Sequence, residues 1–301
     1  MEIAIENVSF SYDSSPVLRD IRLDIGGPQF ISILGPNGVG KSTLIHCMNK
    51  ILKPTGGAVL LDGRDVSECT LKEIARKVGY VPHTASDAFP LTVVDTVLMG
   101  RHPHAGWRTT DDDLEIVYRT LDDLEIGHLA MRYFNELSAG QRQKVMLARG
   151  LAQKPKALLL DEPTSNLDVK HQLGICRLLR DLSRRERLLV VIICHDLNIA
   201  AKYADFIILM HEGRVYDVGS PGQVITADNV RAVYGVESRI IDDGGRPHVV
   251  LSDPAEGCME PLCGGSRCVG DCASCAERRS AAGAGPAPSG PSEPLPAQGP
   301  G

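Results

Sequence analysis

Gly35-Pro36-Asn37-Gly38-Val39-Gly40-Lys41-Ser42 follows the apolar run Phe30-Ile31-Ser32-Ile33-Leu34 and opens a segment with helical spacing from Lys41 to about Asn49. The octapeptide fits G-x-x-x-x-G-K-[ST], a phosphate-binding loop set between a strand and a helix. The chemistry requires these residue types. Gly35, Gly38 and Gly40 let backbone N–H groups turn inward around phosphate oxygens, and the helix that follows points its positive end at them. Pro36, Asn37 and Val39 fill the variable positions. Lys41 supplies a cation for the β- and γ-phosphates, Ser42 a hydroxyl ligand for magnesium, and Thr43 a further candidate nucleotide contact. The competing reading is a glycine-rich turn with a chance Lys-Ser. The strand before and the helix after weigh against it.

Further along, Leu158-Leu159-Leu160-Asp161-Glu162 is an apolar strand that ends in two carboxylates. Such a strand delivers its carboxylates to the sheet edge where ligands of open α/β sheets bind. Asp161 suits magnesium, held through water, and Glu162 suits a general base that polarises the attacking water. For a single strand, a charged terminal turn is the ordinary alternative; beside a phosphate loop it is a poor one.

The rest of the chain supports an α/β fold. Ile3 and Ile5 alternate with polar neighbours, and Asp13-Ser14-Ser15-Pro16 marks a turn, so the first 30 residues read as short strands. Gly56–Val66 reads as a hairpin turning at Asp62-Gly63, and Val78–Val81 as another strand. Residues from about 92 to 129 read as mainly helical, with a capping signal at Thr110-Asp111-Asp112-Asp113. Strands at 157–160, 188–194 and 206–210 then alternate with helices at about 139–152, 169–183 and 197–204. Near-continuous apolar strands alternating with helices imply a parallel sheet covered on both faces.

Leu137-Ser138-Ala139-Gly140-Gln141 opens the helix before the Asp161-Glu162 strand, and with it the chain resembles the ATP-binding subunits of ABC transporters. Their signature usually reads LSGGQ; Ala139 replaces the first glycine. Ser138 is also a good helix cap, a role that would need no family. The remaining motifs follow in the family's order. Tyr12, 29 residues before Lys41, resembles the aromatic that stacks on adenine, and a packing tyrosine of the strand is the alternative. Ser165-Asn166-Leu167-Asp168 resembles the D-loop, and Asp168 could equally cap the next helix. Ile193-Cys194-His195-Asp196 resembles the switch histidine segment, with His195 set to bond the γ-phosphate and hold Glu162. Tyr80-Val81-Pro82-His83 departs from the pattern, because the family usually has a magnesium-reaching glutamine after Val-Pro. His83 can offer a ring nitrogen to the ion or a water. Histidine is stiffer than glutamine, however, and can change charge near neutral pH. Gly100-Arg101-His102-Pro103-His104 and His195-Asp196-Leu197-Asn198 followed by Ala200-Ala201 look like the ATPases of iron–siderophore and cobalamin importers.

The resemblance covers residues 1 to about 250. It implies a P-loop NTPase core with a parallel sheet, an N-terminal antiparallel β subdomain and a helical subdomain at about 84–135. It also implies ATP and magnesium, and a homodimer in which ATP lies between Lys41 and Ser42 of one copy and Ser138 and Gly140 of the other. Two transmembrane permease subunits would dock on the helical subdomain at the cytoplasmic face of the membrane, and an extracytoplasmic substrate-binding protein would complete an importer. The alternatives are another cargo, an exporter, or a soluble ABC ATPase. A soluble one usually carries two ATP-binding domains or a long coiled coil, and neither is visible here.

Composition agrees. The chain has 301 residues, 43% hydrophobic and 23% charged, ordinary for a globular protein. A net charge of −6 lacks the basic stripe of a nucleic-acid binder, so no nucleic-acid partner is expected. The longest apolar run, Leu188–Cys194, has seven residues where a membrane span needs about 20. The opening MEIAIENVSF lacks the pattern of a secretory signal.

Composition shifts near Asp253. Residues 254–280 hold Cys258, Cys263, Cys268, Cys272 and Cys275, spaced C-x4-C-x4-C-x3-C-x2-C. Five thiols in 18 residues could ligate zinc or an iron–sulfur cluster, yet only the last pair has the short C-x-x-C bite. Idle thiols on a solvated extension are the alternative. In 281–301, 18 of 21 residues are Ala, Gly, Pro or Ser, a composition with almost nothing to bury, so disorder is expected.

Overall fold

The computed structural model describes residues 1–83, 90–104, 109–165 and 167–254. The chain divides at Asp253, and Met1–Asp253 is its larger unit. The cysteine cluster and the Ala/Gly/Pro/Ser tail lie outside the described residues, as do residues 84–89 of the expected helical subdomain and Asn166.

In chain order the first half of the larger unit contains β1 (Glu2–Tyr12), β2 (Ser15–Gly26), β3 (Phe30–Leu34), α1 (Lys41–Met48), β4 (Gly56–Leu61) and β5 (Arg64–Asp65). Then come α2 (Leu71–Ala75), β6 (Val78–Val81), α3 (Val93–Leu98), α4 (Asp111–Asp123) and α5 (Ala139–Ala152). The second half contains β7 (Ala157–Leu160), α6 (Val169–Arg185), β8 (Leu189–Ile193), α7 (Leu197–Tyr203), β9 (Phe206–His211) and β10 (Arg214–Gly219). Two short helices, α8 (Pro221–Val224) and α9 (Ala227–Tyr234), lead to the hairpin β11 (Val236–Asp242) and β12 (Pro247–Pro254).

The main sheet has the order β10-β9-β3-β8-β7-β6. Its strands from β9 to β6 are parallel, and β10 is an antiparallel edge. The unbroken apolar strands are explained by their two buried faces. Leu158, Leu160, Val190 and Ile192 enter the core covered by α3 to α7. Leu159, Val191 and Ile193 point the other way, into the core shared with α1 and with β1, β2 and β4. Each such side chain contributes roughly 1.5–3 kcal/mol of burial. The parallel arrangement brings the ends of β3, β7 and β8 to one edge, and the phosphate loop, Asp161-Glu162 and His195 leave from that edge.

An antiparallel sheet, β2-β1-β4-β5, forms the second layer. Its strands are longer than the sequence pattern suggests, because register shifts between Ile5 and Val8 and between Val8 and Phe10 break the alternation into short pieces. The hairpin expected at Gly56–Val66 is present as β4 and β5. The stretch from 92 to 129 is less continuous than its pattern. It holds six-residue α3 and thirteen-residue α4, with single turns around them. Both helices start on capping boxes, Thr92 with Asp95 and Thr110 with Asp113.

Candidate active site

The phosphate loop is shaped by close approaches that only glycine permits. A Cβ on Gly35 would lie 2.3 Å from the carbonyl oxygen of Met210, and one on Gly40, where φ is +97°, would lie 2.7 Å from Leu18 Cδ2. Lys41 is buried and folds back on the loop, its Nζ donating to the carbonyls of Gly35 (2.8 Å) and Pro36 (2.7 Å). Burial lowers its pKa, while the nearby charges of Glu162 and Asp161 act the other way. Ser42 Oγ donates to Asp161 Oδ1 at 3.0 Å, so the hydroxyl and the carboxylate from two distant segments share one position. Tyr12 is half exposed at the end of β1, with Phe10 packed edge-on against it at 4.8 Å.

Glu162 stands beside this pair with its backbone at φ +50°, a left-handed conformation uncommon for a non-glycine residue. His195 Nε2 lies 2.5 Å from Glu162 Oε1, and His83 Nδ1 lies 3.6 Å from Oε2, so the carboxylate is flanked by two imidazoles. Ser165 Oγ donates to the carbonyl of Glu162 (2.9 Å) and is 3.0 Å from His83 Nδ1. The serine has one hydrogen to give, so His83 Nδ1 is the donor to it. The ring of His83 therefore serves Ser165 and Glu162 on that nitrogen.

Ser138 caps α5 in a capping box with Gln141, and Ala139 and Gly140 form the first turn. Asp168 caps α6, accepting from His171 N–H at 2.9 Å. Both capping roles read as alternatives in the sequence are thus present. Among the described residues, no hydrogen bond joins Ser138–Gln141 to the phosphate loop. The structure gathers Lys41, Ser42, His83, Asp161, Glu162 and His195 at one sheet edge and leaves the LSAGQ turn on a separate helix start.

Two residues at the edge, both inside motifs quoted from the sequence, were not read there as site residues. Tyr80, on β6, bonds His46 of α1 at 2.9 Å, and burial together with the Asp161 charge pushes its phenol up to about 12. Ser165 braces the Glu162 backbone. Of the cysteines, Cys47, Cys69, Cys176 and Cys194 are buried free thiols, and burial pushes Cys47 up to about 11 and Cys194 to about 12.

Gly100–His104 has a structural use. A Cβ on Gly100 would lie 2.1 Å from the Arg149 carbonyl oxygen, so the turn sits directly on α5. Arg101 pairs with Asp113 at 2.9 Å and donates to the Ala152 carbonyl at 2.8 Å, both side chains being buried. His104 Nε2 is 2.8 Å from the Gln153 carbonyl. The segment clamps α3, α4 and the end of α5 together. Arg101→Ala is expected to cost roughly 3 kcal/mol in urea unfolding, because it strands a buried carboxylate. Arg101, then Thr110, hold Asp113 below the usual carboxylate range. Its contribution is therefore complete above about pH 4 and lost as pH falls through the lower native value, so wild-type and variant curves should converge in acid.

A family profile described as ABC transporter matches residues 18–165. An uncharacterised ABC transporter ATP-binding protein of Methanocaldococcus jannaschii is 44% identical over 250 residues, covering 83% of this chain and 98% of that protein. The chain belongs to the ABC transporter ATP-binding proteins. This ABC cassette is 36% identical over 251 residues to the ferric enterobactin transport ATP-binding protein of Escherichia coli, covering 81% of this chain and 92% of that one. Its fold matches the dimeric structure of a bacterial ABC transporter cassette with a TM-score of 0.64 and 30% identity, over 72% of this chain and 98% of that one.

An ABC cassette is an ATPase that uses ATP with magnesium. The adjacent oxygens of Ser42 and Asp161 are the hard donors that magnesium prefers, so the residues fit the ion. Among the described residues, no group of three or more His, Cys, Asp or Glu side chains is gathered as a metal site of its own, and no helix is long and apolar enough to cross a membrane.

Proposed function

We propose that the chain is the ATP-hydrolysing motor subunit of an importer for metal chelates of the iron–siderophore, haem or cobalamin type. The observation that carries the catalytic part is the Glu162 carboxylate, held by His195 beside the Ser42–Asp161 pair and within the field of Lys41. The cargo class is supported by the similarity to the ferric enterobactin transport protein.

In this reading Lys41 leaves the Gly35 and Pro36 carbonyls for the β- and γ-phosphates, and the loop N–H groups take the remaining oxygens. Tyr12 stacks on the adenine. Ser42 and Asp161 would hold magnesium, which would supply positive charge to the phosphates. Glu162 accepts a proton from the attacking water as its oxygen bonds to the γ-phosphorus and the bond to the β–γ bridging oxygen breaks. His195 fixes the carboxylate and meets the γ-phosphate. Ser138, Ala139, Gly140 and Gln141 close over the nucleotide of a second copy, with Asp168 at the same interface, so ATP binding favours a closed pair and hydrolysis reopens it. His83 stands in for the usual glutamine. Two permease subunits would dock on residues 84–135 at the cytoplasmic face of the membrane, and an extracytoplasmic binding protein would deliver the cargo. The five tail cysteines are proposed as thiolate ligands for zinc or an iron–sulfur cluster.

One preparation tests these points together. Full-length protein and a chain ending at Pro254 are purified without oxygen from membranes of the native cell. Both are expected to bring down an integral membrane protein and to hydrolyse ATP at similar rates, and only the full-length form should carry zinc or iron. Co-purification with ribosomes or with no membrane protein would overturn the transporter reading. Equal metal content in the two forms would overturn the tail site, and a folded truncation without ATPase would assign the tail to the motor.

A further inference from the structure

Gly140 and the first turn of α6 meet in a way that the catalytic reading leaves unused. A Cβ on Gly140 would lie 3.1 Å from Cδ2 and 3.5 Å from Nε2 of His171, so the imidazole rests against the signature glycine. The ring is held there from the other side. Its Nδ1 is 2.8 Å from both oxygens of Asp168, and a carboxylate only accepts, so Nδ1 carries the hydrogen. The next residue faces a different neighbour. Gln172 Nε2 donates to the Thr164 carbonyl at 3.2 Å, two residues beyond Glu162 in the loop that Ser165 also braces.

The first turn of a 17-residue helix thus touches the loop of the hydrolysing carboxylate with one residue and the signature turn with the one before it. A helix turn moves as a unit, so His171 and Gln172 offer a short path between the Glu162 loop and Gly140. Stability alone does not account for the ring's placement. The His171 and Asp168 side chains are 55% and 65% exposed, and ion pairs so exposed contribute little to folding.

We propose that His171 and Gln172 are positioning residues forming a strut between the chain's own general base and the signature turn that serves the opposite copy's nucleotide. The strut rests on the reading that Ser138–Gln141 face that nucleotide. By linkage the coupling runs both ways: closure on one nucleotide biases the Glu162 loop of the other site. Spatial contiguity is not itself coupling, so the test is a double-mutant cycle.

ATP-driven dimerisation is measured in the full-length Glu162→Gln protein, alone and combined with His171→Ala, Gln172→Ala, both, His171→Asn, or Ser138→Ala. ATP affinity of the single copy, read with a fluorescent ATP analogue at low protein concentration, and the melting temperature are followed for each. His171→Ala and Gln172→Ala are expected to weaken dimerisation about tenfold each, and the double variant no more than either single. Single-copy affinity and melting temperature should hold. His171→Asn keeps a donor for Asp168 but removes the ring from Gly140, so it should weaken dimerisation like alanine while preserving the cap. Additive losses, or rescue by asparagine, would overturn the strut. So would normal dimerisation in His171→Ala when Ser138→Ala weakens it. If Ser138→Ala also has no effect, the reading of the signature face falls and the strut falls with it.

Discussion

Glu162→Gln is expected to abolish ATP turnover while leaving ATP bound and two copies closed around it. Glutamine has the length and shape of glutamate, so its amide oxygen can still accept from His195 Nε2, and Ser165 still braces the backbone carbonyl. What is lost is a base able to take a proton from water. General-base catalysis is worth about 10²- to 10⁴-fold, so the rate should fall by at least 100-fold, roughly, with little change in nucleotide affinity. Size-exclusion chromatography should find a dimer with ATP and a monomer with ADP. Hydrolysis near the wild-type rate would remove Glu162 from the role of base and leave His195 or His83, its two neighbours, as the groups to examine.

Lys41→Ala should fail at the earlier step. The side chain is the buried cation of the loop, and its present partners are two carbonyls, weaker partners than phosphate oxygens. A charge-assisted hydrogen bond contributes about 1.5–3 kcal/mol, so losing it should weaken ATP binding about 10- to 100-fold by calorimetry. The apo fold should change little, because alanine opens a path for water to reach the Gly35 and Pro36 carbonyls. The two variants therefore separate cleanly: one binds and does not turn over, the other binds poorly. Unchanged affinity in Lys41→Ala would count against the phosphate loop.

The sheet edge that gathers the candidate site was legible because its parts are local. A loop of eight residues, a strand ending in two carboxylates and a histidine after the next strand each carry their meaning in consecutive positions. A parallel sheet also leaves one option for where those strand ends meet. The antiparallel strands read short because bulges interrupt their alternation. The hairpin of β11 and β12 and the edge strand β10 were missed because their residues are mostly half-exposed and give no continuous apolar run. Long-range pairings were illegible for a different reason. Gly100–His104 carries wording shared with one kind of importer, and its packing against α5, some 50 positions away, is seen only in the structure. His171 is one of nine histidines, and nothing beside it in sequence announces Gly140.

With Glu162 as the proposed base, its left-handed backbone sets stability and activity against each other at a single position. Holding a side-chain-bearing residue at φ +50° costs about 1–3 kcal/mol, which glycine would recover. Glycine, however, carries no carboxylate. A library selected only for survival of heat would therefore drift at residue 162 toward the one amino acid that relaxes the turn, and would arrive at proteins that are tougher and inert. Selection on cargo uptake would hold the strained glutamate in place, so the two pressures can be told apart by sequencing a single codon.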